Sequence, residues 1–154
     1  MPEKYRKAVF IVVYTKTNEG IRYLLLKRKL HWKGWEFPKG GIEANESKKS
    51  TVERELYEET GRKPIKIKQF GFKGSYKYKR QFPGRPGFIG QFFNLFSAEI
   101  EPGEITIDNR EHSSYEWLTF DEATKKLSFP NQKKSLKIVN NSLKGAYPRE
   151  SRPS

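Results

Sequence analysis

The sequence contains no cysteine, one methionine and two histidines. The missing thiols exclude disulfides and thiolate metal sites. No apolar run reaches the roughly 20 residues needed to span a bilayer, so no membrane partner is expected. The opening MPEKYRKAVF leads into a strand-like run, without the h-region and cleavage site of a secretory leader. A cytoplasmic protein is the expectation. Regular strand–helix alternation and a GxxxxGK[ST] loop are both missing, which argues against a doubly wound nucleotide fold. Acids are scarce: 31 Lys and Arg face 18 Asp and Glu, a net charge of +13. Arg62 to Ala98 holds no acid and nine basic residues; Ala123 to Arg149 holds no acid and seven basic ones. The acids gather between Gly40 and Pro64 and between Glu99 and Glu122. That pattern suggests an anionic ligand held over a local acidic pocket.

The 154 residues suggest one domain with a proper core and a loose tail. AVFIVVYT (Ala8 to Thr15) and IRYLLLKRK (Ile21 to Lys29) read as strands joined by a turn, KTNEG. LHWKGWEFPKGG reads as a loop. A helix follows, capped by Asn45 or Ser47 and ended by Gly61, with Pro64 beyond. IKIKQFGF alternates like a strand, GSYKYKRQFPGRPG reads as a polar loop, and FIGQFFNLFSAEI is an apolar strand. YEWLTFDEATKKL reads as a short strand, a cap at Asp121 and a helix. A closing helix starts near Asn131. Strands and helices in this order fit a mixed sheet with helices on its faces, an α+β protein.

The first helix holds the sharpest signal. Glu55, Glu58 and Glu59 lie three and four apart, so they share a face, expected opposite Val52 and Leu56. Like charges at this spacing repel by a few tenths of a kcal/mol per pair. Three clustered carboxylates in a basic chain suit a hard divalent cation such as Mg²⁺, which takes oxygen ligands and leaves room for phosphates. Arg54, four positions before Glu58, can hold a carboxylate in place. The glycines of the preceding PKGG let the backbone approach a ligand closely, and Lys39 can meet a phosphate.

Gly40, Glu46, Arg54, Glu55, Leu56, Glu58, Glu59 and Gly61 stand at spacings that resemble the signature of the Nudix hydrolase family. Arg62 departs from it, standing where an aliphatic residue is usual. Over about Lys7 to Leu143 the order of elements also resembles the Nudix α/β/α sandwich with its mixed central sheet. The resemblance implies hydrolysis of a nucleoside diphosphate linked to another group, with Mg²⁺ or Mn²⁺. It implies Glu55, Glu58 and Glu59 as metal ligands and the Gly40 carbonyl as another. Glu55 or Glu59 would assist the attacking water, Arg54 would orient a carboxylate, and Glu46 would support the loop. Family members often add a carboxylate or histidine from a later loop. NREHSSYEWL offers Glu111 and His112, and Glu111 is favoured as the extra ligand or base. His31 can touch a phosphate, although a plain surface histidine explains it as well.

GFKGSYKYKR, REHSSYEWL and DEATKKLSF resemble parts of the asymmetric diadenosine tetraphosphate hydrolases. That resemblance implies a small nucleotide substrate split to ATP plus AMP. Tyr78 lies at the distance past the signature where those enzymes carry a tyrosine. Tyr76 and Tyr78 can stack on a base, a contact worth on the order of 1–3 kcal/mol, and Lys77, Lys79 and Arg80 can meet phosphates. RNA 5′-end pyrophosphohydrolases and decapping enzymes carry similar WEFPKG loops and rank second, with the acid-free tracts as a possible RNA path. A binder of nucleotide or RNA without hydrolysis ranks last, since the glutamate set is intact. Monomer and homodimer both fit.

Overall fold

A computed structural model describes residues 4–29, 33–78 and 87–145. Seven strands form one mixed sheet: β1 (Lys4–Thr17), β2 (Gly20–Arg28), β3 (Gly34–Glu36), β4 (Lys39–Gly41), β5 (Lys66–Lys77), β6 (Phe88–Glu99) and β7 (His112–Leu118). The order is β3-β2-β1-β6-β5, with β4 paired to β1 and β7 to β2. Among the described strands only β1 and β6 run parallel; the other pairs are antiparallel. Helix α1 (Lys48–Thr60) covers one face, and α2 (Phe120–Lys126) and α3 (Pro130–Gly145) cover the other. This is the α/β/α sandwich.

β1 explains how a strand without polar alternation is stable. Val9, Ile11 and Val13 pack toward Val52 and Leu56 of α1, while Phe10, Val12 and Tyr14 pack toward Leu136 and Val139 of α3. A central strand covered on both faces reads as a continuous apolar run. Each such side chain contributes roughly 1.5–3 kcal/mol on burial. The same side of β1 has two partners in succession. Ala8 to Phe10 pair with β4, and Tyr14 to Thr17 pair with β2. Ile11 N donates to Pro38 O at 2.9 Å between them. The PKGG segment is therefore clamped onto the central strand.

Three expectations are corrected here. The segment read as loop before α1 contains β3 and β4, each three residues long and held by pairing with β2 and β1. Gly74 to Lys77, read as loop, continue β5 because β6 pairs with them through Lys77↔Gly90. The cap of α2 is Thr119, one step before the helix, and not Asp121. Thr119 Oγ1 accepts from Glu122 N at 3.2 Å and Glu122 Oε1 accepts from Thr119 N at 2.9 Å, a capping box. No helix among the described residues is long and apolar enough to cross a membrane.

Candidate active site

Helix α1 starts at Ser47, whose Oγ accepts from Ser50 N at 3.1 Å. It ends at Gly61, in the left-handed region with φ 73°, whose N–H donates to Tyr57 O at 2.8 Å. Asn45 does not cap; it takes a positive φ of 62° in the turn before the helix. Arg62 docks the helix end by donating to the carbonyls of Glu101 and Glu104 at 2.8 and 3.1 Å. Those contacts stand in for the packing that an aliphatic residue would give.

Arg54 sits at the centre of the acidic segment. Its Nε and Nη2 grip Glu46 at 2.7 and 2.9 Å, and Nη2 also reaches Gly41 O at 2.9 Å. Nη1 donates to Glu55 at 2.8 Å and to Glu58 at 3.1 Å. All five donors of the guanidinium are thereby used. Glu46 also accepts from Thr51 and from Glu43 N, which pins the turn before the helix. The Arg54 hydrogen bond holds the Glu46 carboxyl down to about 2, and Glu46 in turn raises the Arg54 pKa further.

The three helix glutamates do not project as one. Glu58 is half-exposed at 47%, Glu55 is 14% exposed, and Glu59 is buried at 1%. Glu59 lies three residues after Leu56 and so continues the inner stripe. Its Oε2 accepts from Lys39 N at 3.1 Å, and its Oε1 has no hydrogen-bond partner. Burial, with Glu55, Glu36 and Glu111 nearby, pushes the Glu59 pKa well above the usual range. Burial also lifts Glu55, to about 7, against the pull of Arg54 and with help from Glu58 and Glu111.

Behind Glu59 lies a buried cluster that sequence reasoning missed. Glu36 Oε2 meets His112 Nε2 at 2.8 Å and Arg28 Nη1 at 3.2 Å, and Glu36 Oε1 lies 3.5 Å from Lys39 Nζ. Burial alone would raise the Glu36 pKa, but Lys39, His112 and Arg28 together lower it. An ionised Glu36 can only accept, so His112 Nε2 carries the hydrogen. His112 was read as a loop residue; it opens β7 and is fully buried. Its Nε2 is 3.9 Å from Glu59 Oε1. The available signal was the period of two: Arg28 is in phase with the inward-facing Leu24 and Leu26.

The carboxylates open into a cleft. Glu55 and Glu111 share it with Arg6, Arg28 and Lys39, and Gly40 and Gln91 complete its wall. Glu111 lies 4.0 Å from Arg28. A Cβ on Gly40 would fall on the Glu55 carboxylate, and one on Gly41 would fall on the Arg6 guanidinium, so a side chain at either position would displace a charged group of the cleft. Tyr78 donates to Gln91 Oε1 at 2.9 Å, and its ring stands edge-on to Tyr76 at 6.2 Å. Tyr76 is 6.0 Å from Lys39 Nζ. The cleft thus gathers Lys39, Gly40, Glu55 and Glu111, with Tyr76 and Tyr78 alongside. His31 and Lys79 lie outside the described residues.

A divalent cation fits these residues. Among the described residues, Glu59, Glu111 and His112 each offer an atom within 4.8 Å of the others. Two carboxyls resist ionisation, and Oε1 of the buried Glu59 lacks a hydrogen-bond partner, which is the condition a cation relieves. The donors that face the cleft are oxygens, the set preferred by Mg²⁺ and Mn²⁺.

A family model for the NUDIX domain matches residues 4–138. An RNA pyrophosphohydrolase of Pseudoalteromonas atlantica is 30% identical over 131 residues, covering 77% of this chain and 72% of its own. A NUDIX hydrolase structure from Listeria monocytogenes superposes with a TM-score of 0.76 at 22% identity, over 94% of this chain and 96% of that one. The Ap4A hydrolase of C. elegans, in a binary complex, superposes with a TM-score of 0.73 at 21% identity, over 91% of this chain and 98% of that one. At such identity the two structures speak to the fold. Nudix hydrolases use divalent metal ions and act on nucleotide or RNA-linked substrates, and the chain belongs to this Nudix family of pyrophosphohydrolases.

Proposed function

We propose that the protein hydrolyses a phosphoanhydride bond at the 5′ end of RNA, leaving a 5′-monophosphate, with Mg²⁺ or Mn²⁺ as cofactor. The reaction is assigned to one domain. The observation that carries this reading is the shared cleft, where Glu55 and Glu111 face the same space as Arg6, Arg28 and Lys39. Opposite charges side by side suit a cation and a polyphosphate bound together. The choice of RNA is supported by a relative at 30% identity that is named an RNA pyrophosphohydrolase. It is supported too by the two acid-free basic tracts.

Glu55, Glu58, Glu59, Glu111 and the Gly40 carbonyl are the residues assigned to the metal. A cation held by them would supply charge compensation for the phosphate oxygens in an in-line displacement. The protein groups do the rest. Arg54 fixes Glu55 through Oε1, and Glu55 Oε2 takes a proton from the attacking water. The water oxygen bonds to phosphorus, the bridging P–O bond breaks, and the leaving phosphate keeps the electron pair. Lys39 and Arg28 neutralise the phosphates that flank the break. Glu36 and His112 hold Lys39 and Glu59 in register from behind.

Hydrolysis of diadenosine tetraphosphate to ATP plus AMP is the second reading. The Tyr76–Tyr78 pair beside the cleft favours it, since two rings suit a second base. A panel decides: 5′-triphosphorylated RNA, diadenosine tetraphosphate, ADP-ribose and nucleoside triphosphates, each with Mg²⁺ or Mn²⁺. Conversion of the RNA to its 5′-monophosphate, lost in Glu58→Gln, is the expected result. Turnover of diadenosine tetraphosphate alone would replace the RNA reading with the second one. Tight nucleotide binding with no turnover of anything would sink both and leave a binding protein.

A further inference from the structure

We infer that single-stranded RNA downstream of the 5′ end lies along the seam between β5 and α3, an inference that rests on the RNA reading of the cleft. The two acid-free tracts are far apart in sequence, and the fold brings them together. Lys68 Nζ donates to Ser142 Oγ at 2.9 Å, and Lys134 Nζ stands 5.1 Å over the Phe72 ring. In α3, Lys134, Ile138 and Ser142 are four apart and so follow one edge. Neither β5 nor α3 contains an acid.

The β5 side of the seam is aromatic. Phe70, Phe72 and Tyr76 lie on the face toward α3 and stay partly exposed. Gly74 interrupts this row, because a Cβ there would come within 2.6 Å of the Phe93 ring, which fills the gap. The row ends at the cleft, where Lys39 Nζ is 6.0 Å from the Tyr76 ring. From Tyr76 back to Lys68 the strand spans at most about 26 Å. Lys68 Nζ stands 5.0 Å over the Phe70 ring, as Lys134 stands over Phe72; the ammonium groups turn from the rings to the phosphates as bases stack on the freed aromatic faces. Lysines on an edge strand also discourage sheet-to-sheet pairing. That role explains Lys68 on β5 but gives no reason for Lys134, which reaches the same seam from α3. A mononucleotide in the cleft is too short to reach Lys68, so the seam discriminates by length.

The test compares a 5′-triphosphorylated dinucleotide with a 5′-triphosphorylated RNA of about 12 nucleotides. The proteins are wild type and a Lys68→Ala/Lys134→Ala double variant. For wild type, KM is expected to be about tenfold lower on the long RNA. The variant loses that preference, with kcat/KM on the dinucleotide and Tm unchanged. In EDTA, the slope of log Kd against log salt for the long RNA becomes shallower by about 1.4, near 0.7 per lost contact. Equal KM at both lengths, or a preference that survives the substitutions, overturns the seam and leaves the RNA reading intact. If neither RNA is hydrolysed, the RNA reading fails, and the EDTA titration decides the seam alone. Long-RNA binding weakened by the variant upholds it; no binding, or unchanged binding, removes it.

Discussion

Replacing Glu55 by Gln should make the metal-free protein more stable while abolishing its activity. The carboxyl is mostly enclosed, and burial lifts it from an ordinary value of 4.5 to about 7. A folded-state pKa above the unfolded one makes the contribution to stability complete below pH 4.5. It is lost as pH rises to about 7, because the unfolded chain ionises first. At about 1.4 kcal/mol per pH unit, the loss comes to about 3 kcal/mol at pH 8. Gln is neutral at every pH and escapes it, while its Oε1 still accepts from Arg54. For a chain of this size 3 kcal/mol corresponds to about 6–12 °C in Tm. The assay is thermal unfolding in EDTA at pH 4 and pH 8, wild type beside Glu55→Gln. The two should melt together at pH 4 and separate at pH 8, the variant higher. Saturating Mg²⁺ should then raise wild type more than the variant, since ligand binding stabilises the state that binds it. A variant that melts with or below wild type at pH 8 in EDTA would refute the idea that Glu55 is held against its charge.

Other substitutions probe the parts separately. Glu36→Ala leaves Arg28 and Lys39 without their buried counter-charge and should cost about 3–5 kcal/mol, read as a lower urea midpoint at unchanged slope. Gly40→Ala places a methyl on the Glu55 carboxylate. It should cut kcat by at least about 100-fold with a far smaller change in Tm. Gly61→Ala forces a side chain into φ 73° and against Thr106, and should cost about 1–2 kcal/mol, or roughly 2–8 °C.

Much of the fold was legible in the sequence, and for identifiable reasons. Helix α1 announced itself by Ser47, by Gly61 and by Val52 and Leu56 four apart, all local signals. The hairpin of β1 and β2 and the strand β6 were plain from their apolar runs. What escaped depended on distant partners. β3 and β4 are three residues each, too short for any periodicity, and exist because β2 and β1 offer open edges. The end of β5 looked polar because one of its faces meets solvent.

In the candidate site, the spacing of Arg54, Glu55, Glu58 and Glu59 was readable, but the separate fates of the three glutamates were not. Face sharing is a property of the helix alone, whereas the burial of Glu59 comes from the sheet beneath it. Glu36, Arg28 and His112 belong to three different strands. Only their register against β2 joins them, through Leu26↔Glu36 and Arg28↔His112.

The most direct test of the central claim, that these carboxylates hold the divalent cation, is a Mn²⁺ titration followed by the EPR signal of the free ion. Wild type and Glu59→Gln would be compared at pH 6 and pH 8. The account predicts binding to wild type that tightens with pH, as raised carboxyls give up their protons, and little binding to Glu59→Gln. Equal binding by both proteins, or none by wild type at pH 8, would contradict it.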